Sequence, residues 1–448
     1  MSIKNVRERL LVLGLAALIV GCGGDNLQLG SAASINPLAT ADQVNSERQA
    51  AAIMESAAVK QATEDLKAQW IATATRIGGV PAESLKDLDQ AISELAMSNA
   101  IMLTNGDPYQ PKIISNLAAP HSWFGIQVPG SRTILDNPDT IYRRIPLDPT
   151  ASYVIRGKRH AQRPVDFNFT LWDTGTTTIA NIANDELKTE VDGSFVITLN
   201  AGAATGAGNH FQLPPNAGTL FIRDTVNAWG AQQFNTLSVE RLSGGSGKAS
   251  PTTDQLVAAT AAGVRNGNGA FAYYSQLAYA QAVNTLPALS YGGTAGRLST
   301  QIATYSTFKI ADDEALVVNV TLGGATYFIA PVYTRWMTTT DYINHTQTLN
   351  NAQAVANPDG SYTFVIAPED PDVYNWIDTV GMHEGILNLR WQGMPAAMAA
   401  VPASATARLV KLADLRSTLP STTRYVGVAE RQAQLSARAA SYAPRYTP

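Results

Sequence analysis

The chain has 448 residues, a formal net charge of −4 and 15% charged residues. Nothing in this composition is typical of a nucleic-acid-binding surface, which needs clustered basic residues, so no nucleic-acid partner is expected. A single cysteine excludes an internal disulfide.

The N-terminal segment has the pattern of a bacterial lipoprotein signal. A basic start precedes an apolar run over 10–20, and Gly21 precedes the cysteine, Cys22. The apolar run is shorter than the roughly 20 residues that a membrane-spanning helix needs. We expect residues 1–22 to be the signal and Cys22 to be lipidated, which would anchor the protein to a membrane and leave no free thiol. No Asp follows Cys22, and the resemblance to such signals therefore implies an outer-membrane lipoprotein facing the periplasm or the exterior.

Residues 23–129 are predicted to be mainly helical. The stretch 41–77 is rich in the helix formers Ala, Glu, Gln and Lys. Pro81 suits the first turn of a further helix, where a missing N–H is tolerated. The apolar residues after Pro81 have the spacing of a buried helix face; they are Leu85, Leu88, Ile92 and Leu95.

Two later segments resemble each other and indicate an internal duplication. Each has a DGS turn, a strand, an Asn-aromatic corner, a glycine, a second strand and an arginine, in that order. The corresponding parts are the turns 192–194 and 359–361, the corner residues Asn209 and Asn375, and the arginines Arg223 and Arg390. Two generic hairpins would be the alternative interpretation.

The duplication predicts an α+β chain with β-sandwich domains over 130–245 and 300–415 and helical segments before each. Residues 246–299 are expected to hold a Gly/Ser linker and a helical stretch interrupted near residues 266–269. Residues 416–448 are expected to be a C-terminal tail, loosely ordered from Ser436.

Three segments within the duplicated region carry a family resemblance. They are 136–143, which reads DNPDTIYR, 341–350, which reads DYINHTQTLN, and 370–379, which reads DPDVYNWIDT and continues to Arg390-Trp391. The chain resembles, over about 130–392, a bacterial domain family of unknown function, number 1214, which often occurs with a related N-terminal domain, number 1254. The resemblance implies tandem jelly-roll-like β-sandwiches and no agreed activity.

The segment around Asn375 is the first candidate site. Asp378, His383 and Glu384 are candidate catalytic residues, because carboxylates beside a histidine suit general acid–base chemistry. Three neighbouring residues are candidate ligand contacts: Asn375, Trp376 and Arg390. The alternative is that the Asn and Asp side chains bond to backbone amides within a turn.

The second candidate site is a polar and aromatic segment. Its candidate ligand-binding residues are Arg335, Trp336, Asp341, Tyr342 and Asn344. Aromatic faces next to amides and carboxylates suit a sugar, whose ring stacks while polar groups bind its hydroxyls. The alternative is an ordered loop that covers the open end of the sandwich.

The third candidate site contains Asp139, Tyr142 and Arg143, which are candidate ligand contacts at the mouth of the first sandwich. Its alternative is a plain turn in which Arg143 pairs with Asp139. None of the five histidines has the spacing of a metal-binding pair, so neither a metal nor a cofactor is expected.

These patterns predict a cell-envelope lipoprotein that binds a carbohydrate-like or other small polar ligand through its second β-sandwich. One alternative is an envelope hydrolase or lyase that uses a carboxylate and a histidine. Another is a structural or assembly lipoprotein that docks partners through its helices.

Overall fold

Helices dominate the first part of the chain that the structure describes. The computed structural model describes residues 36–447 except 37, 204, 207, 245–249, 293–297, 299 and 396–399. The predicted signal and Cys22 therefore lie outside the described residues, and so does most of the Gly/Ser linker. Within the described residues, no helix is both long enough and apolar enough to cross a membrane.

The predicted helical stretch 41–77 forms two helices, α1 (Ala41–Met54) and α2 (Ala57–Arg76). The break falls at Ser56, whose side chain accepts a hydrogen bond from the N–H of Val59 and caps α2. After Pro81 the chain first forms a 3₁₀ helix, Ala82–Asp87, and only then α3 (Leu88–Thr104). Leu85 lies in the 3₁₀ helix and is 48% exposed, so it does not belong to the buried face predicted for it.

The first sandwich contains nine of the eleven strands that the structure describes before residue 245, and the other two form a small hairpin that precedes its main strands. These strands are β1 (Ile114–Ser115), the hairpin β2 (His121–Trp123) and β3 (Ile126–Val128), β4 (Thr140–Pro146), β5 (Ser152–Lys158), β6 (Asp166–Asp173), β7 (Thr178–Ala183), β8 (Ser194–Asn200), β9 (Asn209–Gln212), β10 (Ala217–Thr225) and β11 (Thr236–Ser243). One sheet has the order β1-β4-β10-β6-β7 and the other β11-β5-β8-β9. The sandwich therefore begins before residue 130, within the segment predicted to be helical.

The second sandwich follows the helices α4 (Thr253–Arg265) and α5 (Asn268–Tyr279). Its strands are β12 (Ser290–Tyr291), β13 (Ile302–Lys309), β14 (Glu314–Thr321), β15 (Tyr327–Tyr333), β16 (Thr348–Asn350), β17 (Tyr362–Ala367), β18 (Trp376–Asp378), β19 (Glu384–Gln392) and β20 (Ser404–Lys411). Its sheets have the orders β12-β13-β19-β15-β16 and β20-β14-β17-β18.

The two sandwiches have the same strand order, as the sequence repeat predicts. Both DGS turns use the same local chemistry: the Asp carboxylate accepts hydrogen bonds from the backbone and the hydroxyl of the following Ser. Their glycines, Gly193 and Gly360, have φ angles of +83° and +81°, a conformation that glycine adopts without strain. In each repeat the strand after the turn pairs in parallel with the corner strand. The α+β fold with tandem β-sandwiches is thus present.

The C-terminal region contradicts the predicted loose tail. It forms α6 (Leu412–Thr418), α7 (Val428–Tyr442) and a 3₁₀ helix, Ala443–Arg445. Tyr442 is fully buried, and Arg445 donates a 2.6 Å hydrogen bond to the carbonyl of Pro138 in the first sandwich. These buried side chains hold the C-terminus against both sandwiches.

Three of the five apolar clusters among the described residues support these layers. One lies inside each sandwich. The third joins the helices to the second sandwich, because Tyr333, Trp336 and Met337 pack among residues of α1–α5. The described residues consequently form one compact unit rather than independent sandwich domains.

Candidate functional site

A cleft of about 1160 Å³ lies between α1–α3 and the loop that follows β15, and we name it the helical cleft. Three residues of the second predicted site, Asp341, Tyr342 and Asn344, are among those that line it. Its walls are mixed: apolar side chains such as Met54 and Ile92 alternate with charged and hydroxyl groups. A cleft of this size and composition can accept a small organic molecule.

A buried ion pair forms part of the wall of the helical cleft. Arg132 lines the cleft, and Glu94 is fully buried behind it. The carboxylate of Glu94 accepts 2.8 Å hydrogen bonds from both the backbone N–H and the Nε of Arg132, and it also pairs with Nη2. Burial opposes the charge of Arg132, but Glu94 outweighs this effect and keeps the pKa of Arg132 above its usual value. Sequence inspection missed Arg132, because its partner lies 38 residues away.

The predicted cleft residues also make local bonds. Asp341 accepts hydrogen bonds from the backbone N–H of Asn344 at 3.0 Å and from its side-chain amide at 2.8 Å. Both residues are exposed. Tyr342 is 1% exposed, and its hydroxyl lies 2.6 Å from that of Tyr446. Asp341 and Asn344 therefore remain accessible to a ligand, whereas Tyr342 mainly supports the cleft wall.

Arg335 and Trp336 do not reach the cleft, and their prediction as ligand contacts is not supported by their positions. Arg335 is 1% exposed and donates to the carbonyls of Ala74, Ile77 and Gly79, at and just beyond the end of α2. Trp336 is fully buried and donates to the carbonyl of Ser84. Both side chains fasten the helical layer to the second sandwich.

The predicted catalytic residues have separate partners. Asp378 lies 2.7 Å from the Nδ1 of His345 rather than beside His383. His383 contacts two other carboxylates: its Nδ1 lies 2.9 Å from Glu83 and its Nε2 lies 2.7 Å from Asp312. Glu384 pairs with Lys309. In the part of the chain that the structure describes, no hydrogen bond or ion pair joins Asp378, His383 and Glu384 to one another.

The corner residues Asn209 and Asn375 have the structural role that was the alternative interpretation. Asn375 accepts from the N–H of Val355 and donates to the carbonyls of Val355 and Thr363. Asn209 makes the corresponding bonds in the first repeat, to Lys188 and Val196. Asn375 is therefore committed to the backbone and is not available to a ligand.

Trp376, next to Asn375, is also a structural residue. Its indole N–H donates to the carbonyl of Ala367 at 3.0 Å, and the guanidinium of Arg431 lies 5.0 Å from its ring. Trp376 is only 7% exposed. The ring is covered by the C-terminal helix, which leaves no face for a sugar.

The third predicted site is divided between the core and a second cavity. Asp139 is fully buried, and Arg143 pairs with Asp224 at 2.6 Å rather than with Asp139. Neither is accessible to a ligand. Tyr142, by contrast, lines a cavity that also contains Arg390.

This second cavity, which we name the intersheet cavity, has a volume of about 160 Å³ and lies between the five-stranded sheets of the two sandwiches. Its polar lining comes from both sheets and includes Tyr142, Arg223, Tyr305, Asn388 and Arg390. Near it, the hydroxyl of Thr225 bonds to the side chain of Gln392 across the two sandwiches. Among the described residues, no group of His, Cys, Asp and Glu side chains is arranged to hold a metal ion.

Comparison with known proteins identifies the fold but no activity. No family model matches the chain, and no curated protein matches it. An uncharacterized protein from Burkholderia cenocepacia has a similar structure, with a TM-score of 0.64 and 24% sequence identity over 84% of this chain and 99% of that one. The VPA0106 protein from Vibrio parahaemolyticus is 13% identical over 61% of this chain and 90% of its own, with a TM-score of 0.39.

Proposed function

We propose that this protein binds a small polyhydroxylated ligand, such as a sugar or polyol, in the helical cleft. The observation that carries the proposal is the position of Asp341 and Asn344, which the sequence predicts as ligand contacts and which lie exposed on the wall of this cleft of about 1160 Å³. Apolar groups in the opposite wall would contact the C–H faces of such a ligand, while carboxylate, amide and threonine groups would bind its hydroxyls.

A cell-envelope location is part of the same proposal. It rests on the signal pattern that ends at Cys22. Membrane fractionation of the protein and of Cys22→Ser would test it: we expect only the unmodified sequence to be found in the outer-membrane fraction. Membership of the 1214 family also remains a prediction from the sequence.

A ligand screen with a matched pair of variants tests the binding site. The panel would contain glucose, N-acetylglucosamine, their β-1,4-linked oligomers and inositol, and the readout would be the melting temperature of the full chain. A ligand that binds only the folded state stabilises it by about 2.7 kcal/mol at a hundred times its Kd. Ser93 lines the cleft on α3, and Ser93→Trp would occupy it. Ala72→Trp, on the exposed side of α2 and outside the cleft, is the control.

We expect at least one member of the panel to raise the melting temperature of the unmodified protein and of Ala72→Trp, but not that of Ser93→Trp. A ligand that stabilises Ser93→Trp equally well binds elsewhere and contradicts the assignment of the cleft. If no member of the panel has an effect, the proposed ligand class is wrong.

One observation favours a hydrolase as the second candidate function. Asp378 orients the imidazole of His345, and the side chain of His345 is 40% exposed. A carboxylate bonded to one ring nitrogen leaves the other free to act as a general base. Under this alternative, Asp378→Asn would abolish turnover of an ester or glycoside substrate while the melting temperature stayed nearly unchanged. If Asp378→Asn lowers the melting temperature instead, the pair is structural.

A further inference from the structure

Arg223 and Arg390 occupy the same place in the two repeats. Arg223 lies in β10 and Arg390 in β19, which are the central strands of the two five-stranded sheets. Their neighbours Ile222 and Leu389 point into the sandwich cores, so the two arginines point to the opposite faces of their sheets. Both arginines line the intersheet cavity. Each repeat therefore contributes the equivalent cation to one shared cavity.

The cross-strand neighbours of these arginines supply aromatic and amide groups. Tyr142 lies directly opposite Arg223 in the register of β4 and β10, and Tyr305 lies opposite Asn388 in that of β13 and β19. The side-chain amide of Asn388 lies 2.8 Å and 2.9 Å from two nitrogens of Arg390 and accepts from both when its oxygen faces them. The guanidinium of Arg390 is thereby held in one orientation.

The positive charge of Arg390 has only neutral partners among the described residues. Its Nη2 donates to the carbonyl of Leu135 and to the hydroxyl of Tyr333, and no carboxylate is within ion-pair distance. Arg144, on the same sheet face as Arg223, also has no carboxylate partner in this part of the chain, and burial lowers its pKa to about 10. A buried cation without an anion is costly, which suggests that an anion from outside completes the site.

The carboxylate of Asp166 only partly offsets this excess of positive charge. Burial lowers the pKa of Arg223 to about 10, and Asp166 is a carboxylate that acts against this shift. Burial also raises the pKa of Asp166 itself to about 7. Near neutral pH, Asp166 therefore carries only part of its charge.

Two buried hydrogen-bond donors lie on the same sheet face. The Nε of Arg144 and the indole N–H of Trp172 have no hydrogen-bond partner among the residues that the structure describes. The guanidinium groups of Arg144 and Arg223 lie 4.6 Å and 4.3 Å from the ring of Phe221, which places both beside the same aromatic surface. Native structures rarely leave buried donors unpaired. These two residues lie outside the lining of the intersheet cavity, and they add to the excess of donors on the sheet face that borders it.

We propose that the intersheet cavity binds a small organic carboxylate, with Arg223 and Arg390 holding its carboxylate groups and Tyr142 and Tyr305 flanking its carbon skeleton. The cavity volume of about 160 Å³ is close to that of cavities of roughly 150 Å³ that accept benzene. The ligand is therefore compact, with one or two carboxylates on a short or aromatic skeleton. This site is separate from the helical cleft and does not depend on the function proposed for it.

The residue types favour a carboxylate over a phosphate. Arginine presents a planar pair of donors that matches a carboxylate in a bidentate geometry. On Arg390 the Nε and Nη2 already donate to protein groups, so its contact with the ligand would be made through Nη1. Among the described residues that line the cavity there is neither a lysine nor a glycine, two residue types that commonly assist in binding phosphate. Its tyrosine rings provide apolar surface, which a carbon skeleton would use and an inorganic phosphate would not.

Calorimetric titration of the full chain tests the proposal. The probes are benzoate, succinate and inorganic phosphate, each at the same ionic strength maintained with chloride. Two variants alter the cavity: Arg223→Met removes a positive charge from it, and Gln301→Trp fills its edge. Arg156→Met is the matched control, because Arg156 is exposed on β5, in the other sheet of the first sandwich.

We expect benzoate or succinate to bind the unmodified protein and Arg156→Met with equal affinity. Loss of a charged hydrogen-bond partner in Arg223→Met should weaken binding about tenfold or more. Arg223→Lys should recover part of the affinity, which a variant damaged only in folding would not do. Gln301→Trp should bind neither carboxylate while retaining its melting temperature.

Three results would overturn the proposal. The first is that neither carboxylate binds the unmodified protein. The second is that Arg223→Met and Arg156→Met lose affinity equally, which would indicate nonspecific charge attraction. The third is that phosphate binds more tightly than both carboxylates. Ser93→Trp fills the helical cleft and leaves the intersheet cavity unchanged, so it should still bind the carboxylates. Failure of the cleft proposal can therefore be distinguished from failure of this one.

Discussion

The hydroxyl of Tyr442 donates a 2.7 Å hydrogen bond to the carboxylate of Asp139, joining the C-terminal helix to the loop before β4. Asp139 is fully buried and accepts further hydrogen bonds from Trp229, Tyr327 and Asn350, so both sandwiches and α7 meet at this carboxylate. A buried carboxylate is stabilised when several donors surround it. Asp139 therefore contributes to stability rather than to ligand binding.

We expect Tyr442→Phe to lower the free energy of unfolding by about 2 kcal/mol, because it removes a hydrogen bond to a charged group in a buried site. Urea denaturation would measure the change. Tyr291→Phe is the control, since Tyr291 is 75% exposed. Equal stability of the two variants would show that the Tyr442–Asp139 bond contributes nothing.

The corner asparagines should be equally important in both repeats. Asn209→Ala and Asn375→Ala each leave backbone groups of two chain segments without their partner, at a cost of about 1–3 kcal/mol. Thermal denaturation would compare them with Asn344→Ala, an exposed position for which we expect about 0.5 kcal/mol or less. A small effect at Asn375 alone would mean that its corner is not equivalent to that of Asn209.

Arg335 should stabilise the end of α2 specifically. Arg335→Met removes the donors to the carbonyls of Ala74, Ile77 and Gly79, and we expect a loss of about 3 kcal/mol. Hydrogen exchange over residues 70–80 should accelerate. Arg76→Met is the control on the same helix end, where the arginine is exposed. If exchange is unchanged in Arg335→Met, the arginine does not hold this helix.

The contact between His383 and the 3₁₀ helix should depend on pH. Hydrogen bonds to Asp312 and, to a smaller extent, to Glu83 raise the pKa of His383 above 6.5. The stability that the charged His383 contributes is therefore complete below about pH 6.5 and is lost as the pH rises through the raised pKa. Burial opposes the charge of Glu83, but the hydrogen bonds from His383 lower the pKa of Glu83 below 4.5. The stability that the charged Glu83 contributes is therefore lost as the pH falls through this lowered pKa.

Between these limits the pair is most stabilising, and the effect is small because the side chain of His383 is 41% exposed. We expect the stability of the unmodified protein to fall by less than about 1 kcal/mol above pH 6.5 for this reason. His383→Gln should remove that part of the pH profile in denaturation experiments from pH 5 to 9. An unchanged profile would exclude His383 as its source.

Local sequence patterns were sufficient to predict the tandem sandwiches. The DGS turns at 192–194 and 359–361 depend on bonds between residues two positions apart, and the strands between them depend on alternation. Such features are visible in any short stretch of chain. The same reasoning identified Asn209 and Asn375 as equivalent, but only the structure shows which backbone groups each side chain bonds to.

The amino-acid sequence by itself determined the strands of the tandem sandwiches, the duplication and which side chains could carry charge, but not the C-terminal helices α6 and α7. Only the tertiary structure decided their partners: Asp378 pairs with His345 across 33 residues, and Arg143 with Asp224 across 81. It also decided that Arg223 and Arg390 share one cavity. The physical reason is that hydrogen bonds and ion pairs act over a few ångströms in space, whereas sequence patterns report only on neighbours along the chain.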